Sequence, residues 1–371
     1  MTGAFDGAAW TFTDRDSRNG THVDGARITR AVRLPTARVL RVGRTLLLPN
    51  RDVRRFEGAE VTLDAMIAGP TLRRALDRIG YAARTGEGLV IQGESGTGKE
   101  AAARAFHAQG PRARGPFVPV NCAAIPEGLA ERLLFGARKG AFSGATSDAG
   151  GYVQGAEEGV LFLDEIGELE PDVQPKLLRL LESKEILSLG ATRPRKANVA
   201  FCFATHRDLR AAVAAGEFRA DLYYRVAQQV VTLPPLRERP EEIPWHVARE
   251  LTALGAIPFE DGRLMEACLV RTWPGNVREL IQELRRAAHE ALASGATHVR
   301  LEHLAPAAGL AFETEAAPVA TTTPEASTPH TREAIEAIFQ AHRGNVAATA
   351  RALGLHRAQV YRLLRRFGIG G

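Results

Sequence analysis

The chain has 371 residues, 45% hydrophobic and 25% charged, a soluble-protein composition long enough for two or three domains that each bury a core. No run of about 18 apolar residues occurs, and the N-terminus lacks the basic-then-apolar layout of a secretory leader, so no membrane span is expected and the cytoplasm is the default location. The net charge is +5, and the three cysteines, Cys122, Cys202 and Cys268, show no metal-ligand spacing and read as reduced core residues.

Residues 1–55 are rich in Thr, Val and Leu, with turn signals at Arg18-Asn19-Gly20 and Asp24-Gly25, and read as short strands. Val39 to Leu48 forms two apolar pieces around a glycine turn. A Ser-x-Asn-Gly-Thr stretch (17–21), then Asp-Gly, then such a strand pair resembles the second half of a forkhead-associated (FHA) domain, a phosphothreonine reader. In that fold the phosphate-gripping Arg and Ser belong to the first half, and Asn19 would contact peptide backbone only. The resemblance therefore implies a partial β-sandwich that has lost phosphopeptide binding or whose true start lies upstream of Met1.

From about 62 to 305, strand-length apolar runs alternate with helical patterns. The runs are 88–92, 116–120, 160–163 and 199–204, and continuous apolar strands between helices predict a parallel sheet covered on both faces. The first run leads into Gly93-Glu94-Ser95-Gly96-Thr97-Gly98-Lys99-Glu100 and then a helix. Glycines let the backbone wrap a phosphate, loop amides bind the anion, and the Lys99 ammonium reaches the outer phosphates. The general pattern has Ser or Thr where this chain has Glu100, so the loop alone also fits a tight turn. The run 160–163 then delivers Asp164 and Glu165 to the end of its strand, where ligands bind in open α/β sheets. Asp164 suits Mg²⁺ and Glu165 suits polarising a water.

These blocks resemble the central AAA+ domain of sigma-54-dependent activators, the bacterial enhancer-binding proteins. GESGTGKE, with glutamate after the lysine, is that family's own form of the loop. Further blocks agree in order: PFVPVNCAAIPE at 116–127, GAFSGA at 140–145, GVLFLDEIGEL at 159–169, FRADLYYRV at 218–226, LPPLRERPEEI at 233–243 and WPGNVREL at 273–280. The resemblance implies that residues 93–100 hold ATP phosphates and that Asp164 and Glu165 are the Mg²⁺ and water-activating pair. It makes Asn121 the asparagine that restrains the catalytic glutamate, and Arg219 and Arg225 arginines that reach a neighbouring subunit's site, which implies a homo-oligomeric ring, usually a hexamer. Thr205 falls at the sensor position and Arg278 matches a lid arginine sensing the γ-phosphate. The family's Ala-Thr-Asn is here Ala204-Thr205-His206.

Gly140-Ala141-Phe142-Ser143-Gly144-Ala145 matches the family's loop, usually GAFTGA, that engages sigma-54. Flanking glycines make a flexible hairpin, and an exposed phenylalanine at its tip implies a partner. Ser143 keeps the hydroxyl and loses a methyl. Leu133 and Ala137 stand where the family shows glutamate and histidine, which predicts weakened coupling to sigma-54.

The tract 313–329 is Pro/Thr/Ala-rich and reads as linker, placed at 306–330. Residues 331–371 hold seven Arg against two Glu, and Ile335, Ile338 and Phe339 mark a first helix. A second helix follows Gly344-Asn345, Gly354 breaks it, and a basic third helix makes a helix-turn-helix. His356, Arg357, Gln359, Arg362 and Arg366 are left to face DNA, Arg suiting guanine or phosphate and Gln suiting adenine. The segment resembles the Fis-type domain that usually ends these activators.

The expected fold class is α/β: an AAA+ P-loop parallel sheet (62–235) with a helical lid (236–305), a partial β-sandwich before it and an all-α helix-turn-helix after it. The expected function is a sigma-54-dependent transcription activator that binds upstream DNA, oligomerises and couples ATP hydrolysis, with Mg²⁺, to remodelling of the polymerase holoenzyme. The alternative is a DNA-binding repressor or scaffold with weak or uncoupled ATPase.

Overall fold

The computed structural model describes residues 1–56, 66–86, 88–141, 146–254, 262–296 and 298–311, and beyond them 336, 339–342, 346 and 349. The chain divides into two units, Met1–Phe312 and Glu313–Gly371.

The first unit begins with seven short strands: β1 (Thr2–Phe5), β2 (Trp10–Thr13), β3 (Thr21–Val23), β4 (Ala26–Ile28), β5 (Val32–Leu34), β6 (Leu40–Val42) and β7 (Thr45–Leu47). They form two antiparallel sheets, ordered β1-β2-β5 and β4-β3-β6-β7, around Phe12, Val23, Ile28 and Leu40. The expected strand pair around a glycine turn is β6 and β7. Within the Ser-x-Asn-Gly-Thr stretch, the Ser17 and Thr21 hydroxyls both donate to Asp14 Oδ1 at 2.6 Å, so these two side chains stabilise their own turn.

Helix α1 (Pro70–Thr85) starts on a proline and ends at Gly86, an arrangement that favours a sharp start and stop. Then come β8 (Leu89–Gln92), α2 (Lys99–Gln109), β9 (Phe117–Asn121), α3 (Ala130–Phe135), α4 (Tyr152–Gly155), β10 (Val160–Asp164) and α5 (Gln174–Ser183). A small hairpin, β11 (Glu185–Ile186) and β12 (Arg195–Lys196), precedes β13 (Ala200–Thr205), α6 (Leu209–Ala214), α7 (Ala220–Val226) and β14 (Gln229–Thr232). The large sheet is parallel, ordered β14-β8-β13-β10-β9. The four apolar runs each supply one strand. The fifth, β14, is half-exposed at an edge, and its short QVVT sequence carries no comparable apolar signal.

Alternation along the strands divides the core. Val160, Phe162, Cys202, Ala204, Leu89 and Ile91 face α1 and α2. Leu161, Leu163, Phe201, Phe203 and Val90 face the layer of α3, α5 and α7. Both faces are therefore covered, the condition under which strands read as continuous apolar runs. Cys122, Cys202 and Cys268 are free and buried, and burial pushes the Cys122 and Cys268 thiols up to about 12.

The lid comprises α8 (Ile243–Ala253), α9 (Gly262–Val270) and α10 (Asn276–Ala293). Its core centres on the buried Trp273, whose indole Nε1 donates to Cys268 O at 2.7 Å. The packed body runs past the expected boundary at 305: Ala308 is buried in this core, and Gly309 O accepts from the Thr272 and Trp273 amides. Residues 306–311 thus belong to the lid rather than to a linker. The N-terminal sheets pack on α9, with Val39 buried in the lid core and Arg41 Nε donating to Glu266 Oε2 at 2.7 Å.

In the second unit, Glu336, Phe339–Ala341, Val346 and Thr349 are helical, in the segments expected for the first two helices. No helix among the described residues is long and apolar enough to cross a membrane.

Candidate nucleotide site

Parallel strands carry their C-terminal ends to one edge of the sheet. Register pairs Asp164 with Asn121 and Thr205 with Gln92, so the carboxylates, the sensor position and the glycine loop meet there. A cavity of about 440 Å³ opens at this edge, lined by residues 95–101, Asn121, Asp164 and Glu165 together with Met66, Ile67, Arg239, His246, Arg249, Val277, Arg278 and Ile281. Its size falls in the usual range for small-ligand sites.

The loop is built for close approach. Gly96 has φ +76° and a Cβ there would lie 2.1 Å from Gly275 O; Gly98 has φ +102° and a Cβ would lie 2.9 Å from the Met66 side chain. Larger residues would push the lid and the Met66 segment away. The lid stands directly on the loop: Val277 N donates to Gly96 O at 3.1 Å, and Arg278 Nη1 donates to Ser95 Oγ at 2.9 Å. Asn276, fully buried and at φ +54°, donates to Glu94 Oε2 and Ser95 O and accepts from Leu236 N. Arg237 pairs with both oxygens of Glu94, and this guanidinium holds the Glu94 carboxyl below the ordinary range against the opposing effect of burial.

Lys99 is buried and folds back on the loop, 3.0 Å from Gly93 O and 3.3 Å from Glu165 Oε1. Glu165 Oε2 lies 2.6 Å from His206 Nδ1 and accepts from His206 N at 3.1 Å. Burial opposes ionisation of Glu165, yet the two His206 hydrogen bonds and the Lys99 charge bring its carboxyl below the ordinary range. An ionised carboxylate only accepts, so Nδ1 carries the proton in this contact. Burial, and then the neighbouring Glu165 charge, push the Asp164 carboxyl up.

The structure thus brings Lys99, Glu100, Asp164, Glu165, Asn121 and Arg278 into one cavity with Ser95 to Gly98. Three expected nucleotide contacts sit behind it. Glu94 is committed to Arg237 and Asn276. Gly93 donates its amide to Thr205 O, and Thr205 Oγ1, buried, accepts from Arg207 N. Asn121, expected to restrain Glu165, instead accepts from Ala123 N at 2.9 Å, and the hydrogen bonds to Glu165 come from His206. The physical reason is local: Asn121 ends β9 and caps the turn that follows, whereas β13 brings His206 beside Glu165.

Arg219 and Arg225 lie away from this cavity. Arg219 pairs with Asp221, and Arg225 donates to Leu181 O at 2.9 Å. Arg225 lines a separate cavity of about 490 Å³, near the opposite strand ends. Neither arginine lines the nucleotide cavity of its own chain. Gly140 and Ala141 are described, with Gly140 at φ +80°. Phe142, Ser143, Gly144 and Ala145, and all five proposed DNA contacts at 356, 357, 359, 362 and 366, lie outside the described residues. Asn276, Arg237 and His246 carried no earlier assignment; the WPGNVREL and LPPLRERPEEI blocks held the first two without revealing their partners.

Residues 66–232 match the Sigma-54 interaction domain, and residues 332–367 match the Fis family of bacterial regulatory proteins. The chain is 44% identical over 246 residues to the Nif-specific regulatory protein of Azotobacter vinelandii, covering 64% of this chain and 47% of that one. It is 39% identical over 303 residues to the transcriptional regulatory protein GlrR of Escherichia coli, covering 80% and 66%. With the anaerobic nitric oxide reductase transcription regulator NorR of Aeromonas salmonicida it shares 39% over 317 residues, covering 81% and 62%. The chain therefore spans between about half and two thirds of these curated relatives. Crystal structures of NtrX from Brucella abortus, in complex with ADP and with ATP, superpose with TM-scores of 0.60 and 0.59 at 29% and 28% identity, covering 83% and 85% of this chain and 70% and 71% of theirs. Residues 66–232 thus form a sigma-54 interaction domain with an AAA+ P-loop fold, and a Fis-family segment follows it in sequence.

Proposed function

We propose that this chain is an ATP-hydrolysing transcription activator that binds upstream DNA through residues 331–371, assembles into a ring and remodels the sigma-54 form of RNA polymerase in the cytoplasm. The observation that carries this reading is the single cavity joining Lys99, Asp164, Glu165 and the lid residue Arg278 within the sigma-54 interaction domain.

ATP phosphates seat on the amides of Gly96 to Lys99, at the start of α2. Phosphate oxygens compete for the Lys99 ammonium and draw it from Glu165 Oε1, which leaves that oxygen to orient the attacking water while Oε2 stays with His206. Asp164 would hold Mg²⁺, which neutralises phosphate charge. The residues fit: a Mg²⁺ site needs only one or two carboxylates with substrate oxygens, and Asp164 lines the cavity together with the loop. Arg278 senses the outer phosphate from the lid. Arg219 and Arg225 act on the neighbouring subunit's nucleotide, where such arginines are worth roughly 10³–10⁵ in rate in other NTPases. Such action fits a hexameric ring. Residues 140–145 carry the resulting movement to sigma-54.

A repressor or scaffold with uncoupled ATPase is the second reading, favoured by Ser143, Leu133, Ala137 and the His206 hold on Glu165. The test is open-complex formation by sigma-54 holoenzyme on a promoter bearing this protein's site, with ATP and with a non-hydrolysable analogue. Opening with ATP alone is the expected result. ATP turnover and DNA binding without opening would establish the second reading.

A further inference from the structure

Arg239, in the turn that leads into the lid, is 1% exposed, and its partner Glu242 is fully buried. Arg239 Nη1 donates to Glu242 Oε2 at 2.6 Å, and Nη2 donates to Thr97 O at 2.8 Å. The other Glu242 oxygen accepts from the amide of Gly69, the residue before α1, at 2.7 Å. The pair therefore bridges the phosphate loop to the start of α1. A buried ion pair is often no more stabilising than apolar residues of similar volume, and Arg239 Nε has no partner among the described residues. Stability alone is a weak reason for burying this cation.

Its second contact has a geometric consequence. Three consecutive carbonyls of the loop are gripped from the lid side: Ser95 O by Asn276 Nδ2 at 3.0 Å, Gly96 O by Val277 N at 3.1 Å and Thr97 O by Arg239 Nη2. In a trans peptide the carbonyl and the following N–H point to opposite sides of the unit, so the Gly96, Thr97 and Gly98 amides are turned away from those donors. Thr97 N is spent on Glu94 O at 3.3 Å, whereas the Gly96 and Gly98 amides donate to no backbone acceptor among the described residues. Both glycines line the nucleotide cavity. No backbone amide among the described residues donates to Thr97 O, so Arg239 is what holds it.

Turning a peptide unit over changes the φ of the residue that follows it. At the 97–98 peptide that residue is Gly98, at φ +102°, and glycine takes either sign of φ at little cost. The loop's own sequence therefore leaves this peptide free to turn over, and an outside contact has to fix it. We propose that Arg239 is a positioning residue for nucleotide binding: by holding the Thr97 carbonyl it keeps the Gly98 amide presented to the phosphates. The assignment rests on the ATP-binding reading above. Only molecules with the competent orientation bind, so apparent affinity falls with their fraction. The coupling is reciprocal, and bound phosphates tighten the hold of Arg239 on the loop.

The experiment is equilibrium binding of ADP and steady-state ATP turnover by the full chain, wild type against the double variant Arg239→Met with Glu242→Gln. The glutamine strands no carboxylate and keeps an acceptor for the Gly69 amide. The double variant is expected to bind ADP roughly ten- to a hundredfold more weakly, the worth of a charged hydrogen bond. Its KM should rise in step, while kcat stays within about threefold, because saturating nucleotide repopulates the competent orientation. Unchanged ADP affinity overturns the proposal. So does a fall in kcat at unchanged KM, the result of a lid that has merely come loose and taken Arg278 with it. A second measurement needs no variant to fold. Carbonyl-¹³C threonine with amide-¹⁵N glycine selects the Thr-Gly peptides, at 2–3, 85–86 and 97–98. ADP should move the wild-type Gly98 amide proton downfield as it meets a charged acceptor, and an unmoved resonance at saturating ADP overturns the proposal. Absence of any ADP or ATP binding by the wild type would instead remove the parent reading, and the inference with it.

Discussion

Asn276 offers the most direct test of how the lid is held on the phosphate loop. Its side chain accepts from the buried Leu236 amide at 2.7 Å and donates to Ser95 O at 3.0 Å and Glu94 Oε2 at 3.1 Å. Asn276→Ala leaves the Leu236 N–H buried without an acceptor, about 1–3 kcal/mol, and forfeits the other bonds at about 0.5–1.5 kcal/mol net. The backbone adds a third contribution: at φ +54° an alanine is disfavoured by roughly 1 kcal/mol. The expected loss is therefore roughly 3–5 kcal/mol for Asn276→Ala, and about 1 kcal/mol less for Asn276→Gly, which tolerates the left-handed conformation. The assay is urea unfolding followed by Trp273 fluorescence, with Trp10 and Trp245 replaced by phenylalanine so that the signal reports the lid alone. A loss under 1 kcal/mol for Asn276→Ala would refute the hydrogen-bond argument. Equal loss in the alanine and glycine variants would refute the backbone contribution.

Three further outcomes follow from the same geometry. His206→Asn removes the ring contact at 2.6 Å and should raise kcat for ATP roughly two- to fivefold with KM unchanged; a fall instead would mean that His206 assists hydrolysis. Asp164 has its carboxyl pushed up in the folded state, so the folded protein binds that proton more tightly and its stability falls as pH rises from about 3.9 through the raised value. Asp164→Asn should accordingly raise the thermal midpoint at pH 7 while abolishing turnover, and an unchanged or lower midpoint counts against the burial argument. Arg41→Ala strands Glu266, whose side chain is 5% exposed, and should cost about 3 kcal/mol, largely recovered by adding Glu266→Gln; hydrogen exchange along β6 and α9 would report whether the N-terminal sheets have come loose.

Much of the nucleotide site was legible in the chain because its parts are local. A glycine loop between an apolar run and a helix, and two acids ending another apolar run, declare strand, turn and ligand edge within a dozen residues each. Parallel pairing then had to bring them together, since both faces of such strands are apolar. The edge strand Gln229–Thr232 gave no comparable signal, being short and half-exposed. Asn276 meeting Glu94, His206 meeting Glu165 and Arg41 meeting Glu266 all join residues 41 to 225 positions apart. Periodicity records which face of an element is apolar; it does not record which distant polar group a buried one meets. The sequence by itself determined the elements, the loop and the carboxylate pair, and only the tertiary structure decided which side chains restrain the glutamate and clamp the lid.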